Sequence, residues 1–195
     1  MDVEEVAVGT DTRKLDDYVR ARKYALTSVT YWHDNTLVDV VRVAEKFGVK
    51  RSEWLDAMMN ALETADCKLG EFTANFETET RNELFPTREA CFEFYRKDEN
   101  FERLLRSEIG DNLMHKYQAI GSFHIWPEVC RAAMNATKKL LLDRKADAEL
   151  PDFDEFWAEF GRFELYQHAH GYTVEAILSA CRTDLSYDIA AGSAD

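Results

Sequence analysis

The chain has 195 residues, with 24 Lys+Arg against 37 Asp+Glu and a net charge of -13. That balance excludes nucleic-acid and anionic-membrane binders that work through basic side chains, because both need Lys/Arg to neutralise phosphate. Hydrophobic residues at 46% suffice for one packed core, which excludes wholesale disorder.

The first ten residues read as a separate arm. Val3, Val6 and Val8 with Ala7 and Gly9 predict a short β-strand over residues 1–10. A single strand leaves its backbone groups unpaired, so it needs a neighbour from this chain or another. A helical domain follows over residues 11–190. Asp11 or Thr12 is the expected N-cap of a helix with Leu15, Val19, Leu26 and Trp32 on its apolar face. Thr36 is expected to cap a second helix carrying Val38, Val41 and Ala44, which Gly48 ends in a left-handed cap. Ser52 is expected to cap a third, with Trp54, Leu55, Met58, Met59 and Leu62 inward.

From Lys68 to Pro86 the helical period fails. Phe72, Ala74 and Phe76 alternate with polar residues, which predicts an extended segment or ordered loop. Thr87 restarts helix, and Phe92 and Phe94 lead on to Phe101, Leu104, Leu105 and Ile109. Gly110-Asp111-Asn112 marks a break. A short helix runs from Leu113, and Pro127 fits the first turn of the next, with Val129, Ala133, Ala136, Leu140 and Leu141 inward. Residues 143–151 are polar and form a possible sub-boundary. Asp152 is expected to cap an aromatic helix with Phe153, Phe156, Trp157, Phe160 and Phe163, and Thr173 a last one through Val174, Ile177, Leu178 and Cys181. Short connections between amphipathic helices predict a mainly all-α fold, an antiparallel helical bundle.

Cys67, Cys91, Cys130 and Cys181 are too widely and irregularly spaced for a zinc site, and read as reduced structural thiols. With no basic leader and no long apolar run, the expected home is the cytoplasm. There is no G-x-S-x-G and no Gly-rich phosphate loop. His124 and Glu128, and Glu164 and His168, stand four apart. With Glu108 and His115 they outline an alternative, a helical metal-dependent oxidase of the di-iron type. That chemistry favours Glu-x-x-His, three apart, on two helices, and the pattern is missing. A second alternative is an acidic regulatory binding protein.

One segment stands out. LLRSEIGDNLMHKYQAIGSF, residues 104–123, carries Glu108-x-Gly110-x-Asn112 and then Lys116-Tyr117. It resembles a run near the end of many cobalamin-binding-type radical SAM enzymes, although Ser107 stands where that run often has Gly. Residues 4–26 are similar to the junction where the barrel's last strand enters the C-terminal helices. Leu185-Ser186-Tyr187-Asp188-Ile189 resembles the closing segment, with Ala191-Gly192 where a Trp is expected. The resemblance implies a non-catalytic accessory domain. The scattered cysteines cannot supply the three close thiolates of an iron–sulfur cluster. So the chain alone is expected to bind no cofactor, and the cluster and S-adenosylmethionine would come only through a partner radical SAM chain. Self-association through residues 1–10 is the other expected contact. Glu108, Asn112, Lys116 and Tyr117 are the candidate interaction residues, set against the plainer role of an interhelical brace.

Overall fold

The computed structural model describes residues 5–33, 36–65, 67–150 and 152–168. Among them the fold is all-α, with ten α-helices: α1 (Leu15–Tyr31), α2 (Val38–Lys46), α3 (Arg51–Glu63), α4 (Cys67–Asn82), α5 (Arg88–Tyr95), α6 (Asp98–Leu105), α7 (Leu113–Ala119), α8 (Trp126–Asp143), α9 (Ala146–Glu149) and α10 (Phe153–His168). A π-helical turn, Ile120–His124, joins α7 to α8. The expected strand is not seen in its described part: residues 5–10 form no strand, and Val6 is 48% exposed. Val3, the helix expected from Thr173, Cys181 and the closing Leu185–Ile189 segment lie outside the described residues.

Local chemistry moves several helix starts from their expected places. Before α1, the Thr10 hydroxyl accepts from the backbone N–H groups of Thr12 and Arg13, at 3.3 and 3.1 Å. This closes a turn, so the helix begins later, where the Asp17 carboxylate accepts from the Lys14 N–H at 2.8 Å. Thr36 spends its hydroxyl on the His33 carbonyl, at 2.6 Å, and caps nothing. α3 starts ahead of Ser52, after Lys50. The stop after α2 is as the sequence predicts. Gly48 has φ +77°, and the N–H groups of Gly48 and Val49 return to the carbonyls of Glu45 and Ala44 at 2.9 and 3.1 Å.

The segment expected to be extended is α4, a helix of 16 residues. Its inward face is Leu69, Phe72, Phe76 and Thr80, all 4% exposed or less. Ala74, the middle of the Phe72–Phe76 alternation, faces solvent. The Thr73 and Thr78 hydroxyls donate to the carbonyls of Leu69 and Ala74 four residues back, at 3.1 and 2.9 Å. They therefore leave the helical ladder intact.

α3 and α8 form the centre. α1 and α4 pack on α3, while α2 and α10 pack on α8. Trp54 of α3 is 1% exposed and lies edge-on to Tyr31 of α1, with centroids 6.4 Å apart at 86°. Its indole N–H donates to the Thr137 hydroxyl at 2.8 Å, and that hydroxyl donates to the Ala133 carbonyl at 2.8 Å. The centre of the α3–α8 contact is thus apolar around a satisfied polar link, and at its end Arg144 reaches both carboxylate oxygens of Glu53, at 2.7 and 2.8 Å. On α10, Phe153 and Trp157 are buried, while Phe156 and Phe163 are 39% and 49% exposed. Ala146 of α9 is fully buried in the 143–151 stretch.

The run from Phe92 to Ile109 is interrupted. α5 ends at Tyr95 and α6 begins at Asp98. The Asn100 side chain donates to the Phe94 carbonyl at 3.0 Å across the bend. The rotation this introduces buries Asn100 and turns Phe101 and Leu105 outward, at 50% and 69% exposure.

Candidate functional site

The segment 108–117 is built on the break between α6 and α7. Gly110 has φ +75°, and a Cβ there would meet the Leu104 Cδ1 at 2.6 Å and the Tyr95 hydroxyl at 3.3 Å. Only glycine suits that conformation and that approach. Asn112 then caps α7: its side-chain oxygen accepts from the N–H groups of Met114 and His115, at 3.0 and 3.3 Å. Asn112→Ala is expected to lower stability by about 1 kcal/mol, the usual loss of such a cap. Urea unfolding with an unchanged slope would check it.

Lys116 and Tyr117 meet one residue that the sequence did not mark. The Lys116 ammonium lies 2.6 Å from Glu79 Oε2, and the Tyr117 hydroxyl donates to Glu79 Oε1 at 2.9 Å. Glu79 sits on α4, so one carboxylate takes both neighbours on α7 and ties the two helices. The Tyr117 ring is 2% exposed and packs against Phe72 and Phe76, at centroid distances of 5.3 and 5.1 Å. Burial pushes the Tyr117 phenol well above its ordinary range, and the hydrogen bond to ionised Glu79 adds to this. The phenol therefore stays a donor at any physiological pH.

Glu108 stands apart from that cluster. Its carboxylate is paired with Arg106 at 2.7 Å and with Arg103 at 3.6 Å, on the exposed side of the break. The four candidate residues thus do three jobs: Glu108 pairs on the surface, Asn112 caps, and Lys116 and Tyr117 brace α7 to α4.

The residues of the oxidase alternative are dispersed. Glu128 pairs with Lys68 at 3.2 Å, Glu108 with the two arginines, and Glu164 is buried on α10. Among the described residues no three His, Cys, Asp or Glu side chains are gathered as a metal would require; the His168 side chain lies outside that description.

A concavity lies at the α1–α4 seam. It is an open cleft of about 620 Å³, lined by Asp16, Arg20, Lys23, Glu63, Glu77 and Arg81 around Val19. Lys23 reaches Glu63 and Glu77 at 3.0 and 3.4 Å, and Arg81 reaches Asp16 and Glu77 at 2.8 and 3.0 Å. Burial opposes the Lys23 charge, but its hydrogen bond to Glu63 and the two carboxylate charges outweigh that and hold the ammonium above its ordinary value. The Arg81 hydrogen bond holds Glu77 low. Acids and bases balance in this wall, so it offers little net field to a charged ligand. No described helix is long and apolar enough to cross a membrane. No family model matches the chain, and neither a known curated protein nor a solved structure matches it.

Proposed function

We propose that the chain is a non-catalytic helical accessory domain that docks on a catalytic partner, in the manner that its resemblance to the C-terminal region of radical SAM enzymes implies. The observation that carries this reading is the outward pair Phe101 and Leu105, 50% and 69% exposed on successive turns of α6. Large apolar side chains held out in water next to each other favour a protein contact. The pair also directly precedes the Glu108–Tyr117 segment, where the resemblance is densest. On this reading the cluster and S-adenosylmethionine reside in the partner, and Lys116, Tyr117 and Glu79 keep the docking face in shape.

The test is anaerobic purification of the tagged chain from its native cells, with iron and sulfide measured in what accompanies it. An iron–sulfur chain in equal amount is expected. The double variant Phe101→Ser, Leu105→Ser should lose that chain while keeping its helical circular dichroism. The reading is overturned if the isolated chain, reconstituted with iron and sulfide, cleaves S-adenosylmethionine unaided. Stoichiometric iron or manganese in the isolated chain would overturn it in favour of the oxidase. Removal of residues 1–10 addresses the other expected contact: an unchanged oligomeric mass would end the proposal of self-association through that arm.

A further inference from the structure

Glu164 is the most unusual charge carrier in the described fold. It lies on α10 with 2% of its surface exposed, and its Oε1 has no hydrogen-bond partner there. No cation pairs with it among the described residues. The Tyr31 hydroxyl on α1, fully buried, also lacks a partner. Cys130 of α8, 2% exposed, feels the Glu164 charge and itself acts on Tyr31. An ionised carboxylate in such surroundings loses its hydration and gains nothing in return.

We propose that Glu164 is a proton-controlled latch for α10: the neutral acid lets the helix seat on α8, and loss of its proton loosens the helix.

Titratable and charged groups come from the elements packed there. From α8 come the Cys130 thiol and, beyond it, Arg131, which acts on Cys130. From α2 comes Asp39, whose charge opposes ionisation of Glu164; Asp39 is itself held by Arg42 at 3.0 Å. From α1 comes the Tyr31 phenol. α9 packs on α10 with buried Ala146, and its Asp147 and Glu149 are exposed. On α10 itself, Asp154 pairs outward with Lys138 at 2.6 Å and Glu159 with Arg162. Burial first, and Asp39 second, push the Glu164 carboxyl up to about 7.

The sign follows from where the proton goes. An unfolded glutamate releases its proton near pH 4.5, whereas the native one keeps it to about pH 7. Across that window the native state binds more protons, so raising the pH favours opening. The contribution is complete below the unfolded value and is lost as the pH rises through the native one. Helix α10 also holds its place through the Trp157 indole N–H to the Met134 carbonyl at 3.2 Å, and through the Trp126 indole N–H to the Leu165 carbonyl at 3.3 Å. Neither of those bonds titrates.

The experiment uses the full chain and its Glu164→Gln variant in urea unfolding from pH 5 to 8. Amide exchange is followed in residues 153–168 and in α3, and alkylation is followed at Cys130. For the wild type, the folding constant is expected to fall on the order of 100-fold over that range. Protection in α10 should be lost ahead of α3, and Cys130 labelling should rise with it. The glutamine variant should lose most of that slope. Asp39→Asn should move the transition to lower pH, because the repulsion that delays ionisation is gone. Should the glutamine variant fail to fold, Glu164→Leu provides the same non-titrating reference. A wild type flat across the range, a variant with an unchanged slope, or equal loss of protection in α3 and α10 would each overturn the latch.

Discussion

Trp54→Ala is expected to cost about 3–5 kcal/mol, the range for removing a large aromatic from a packed interior. In a chain of this size that corresponds to a fall in Tm on the order of 10 °C. The reason is its position where three helices meet. Its ring is 1% exposed, stands edge-on to Tyr31 of α1, and sends its N–H to Thr137 of α8. Truncation opens a cavity between α1, α3 and α8 and strips the Thr137 hydroxyl of its donor. Trp54→Phe should lose less, since it keeps most of the apolar contact and forfeits only the link to Thr137 and the remaining volume. Urea unfolding of the two variants side by side would check this. A loss under about 1 kcal/mol for the alanine variant, well below the usual range, would mean that the α3–α8 contact is not the centre of the fold.

The second large effect concerns Glu79. Replacing it by alanine leaves the Tyr117 hydroxyl without its acceptor, with its ring still held between Phe72 and Phe76. An orphaned buried donor costs about 1–3 kcal/mol, and Lys116 loses its counter-charge at the same time. Tyr117→Phe removes the donor and keeps the ring, so it should be the milder change. The two substitutions should not add. Once Glu79 is alanine, phenylalanine at 117 should be neutral or better, giving a coupling of about 1–2 kcal/mol in a double-mutant cycle. Additive losses would show that Glu79 and Tyr117 stabilise the fold independently, which the single shared hydrogen bond does not allow.

Punctuation was the most legible layer of this sequence. Gly48, Thr87, Gly110 and Pro127 each act where a local rule puts them. Gly48 and Gly110 adopt positive φ, Thr87 accepts from the Ala90 N–H at 3.1 Å, and Pro127 stands in the first turn of α8. Side-chain competition was less legible. Asp11 or Thr12, Thr36 and Ser52 were all expected as caps, yet a turn closed by Thr10 comes before α1, the His33 carbonyl takes the Thr36 hydroxyl, and α3 begins ahead of Ser52.

Periodicity misled where a short stretch fitted two periods. Phe72, Ala74 and Phe76 satisfy an alternation, but Leu69, Phe72, Phe76 and Thr80 satisfy a helical face, and burial follows the second set. A threonine at the end of an apolar stripe hides that stripe from a hydrophobicity count. Phe101 and Leu105 continue the apolar run from Phe92 in the sequence, yet they face outward. The two-residue bend at Arg96 and Lys97 resets the helical phase, and nothing in the residue types announces the new angle.

Within the candidate site, the Lys116-Tyr117 pair was visible and its partner was not. Glu79 lies 37 and 38 residues away along the chain and is one carboxylate among many in an acidic sequence. Only the packing of α4 on α7 singles it out. Glu164 was marked in the sequence only as part of the oxidase alternative, not as a buried acid. The structure alone shows that this one carboxyl faces inward.

The stitching of α1 to α4 has a consequence for how the molecule meets its solvent. Arg22 with Glu83, Lys23 with Glu77, and Arg81 with Asp16 all cross that one boundary, whereas α3 and α8 meet through apolar area and the neutral Trp54–Thr137 hydrogen bond, with an ion pair, Arg144 with Glu53, at one end. Added electrolyte screens exposed attractions and leaves apolar burial untouched or strengthened. The same ions also relieve the mutual repulsion of a surface carrying a net charge of -13. Dilute and concentrated buffers should therefore redistribute rigidity inside one fold. High salt would tighten the α3–α8 middle and slacken its α1–α4 flank, with little change in the sum.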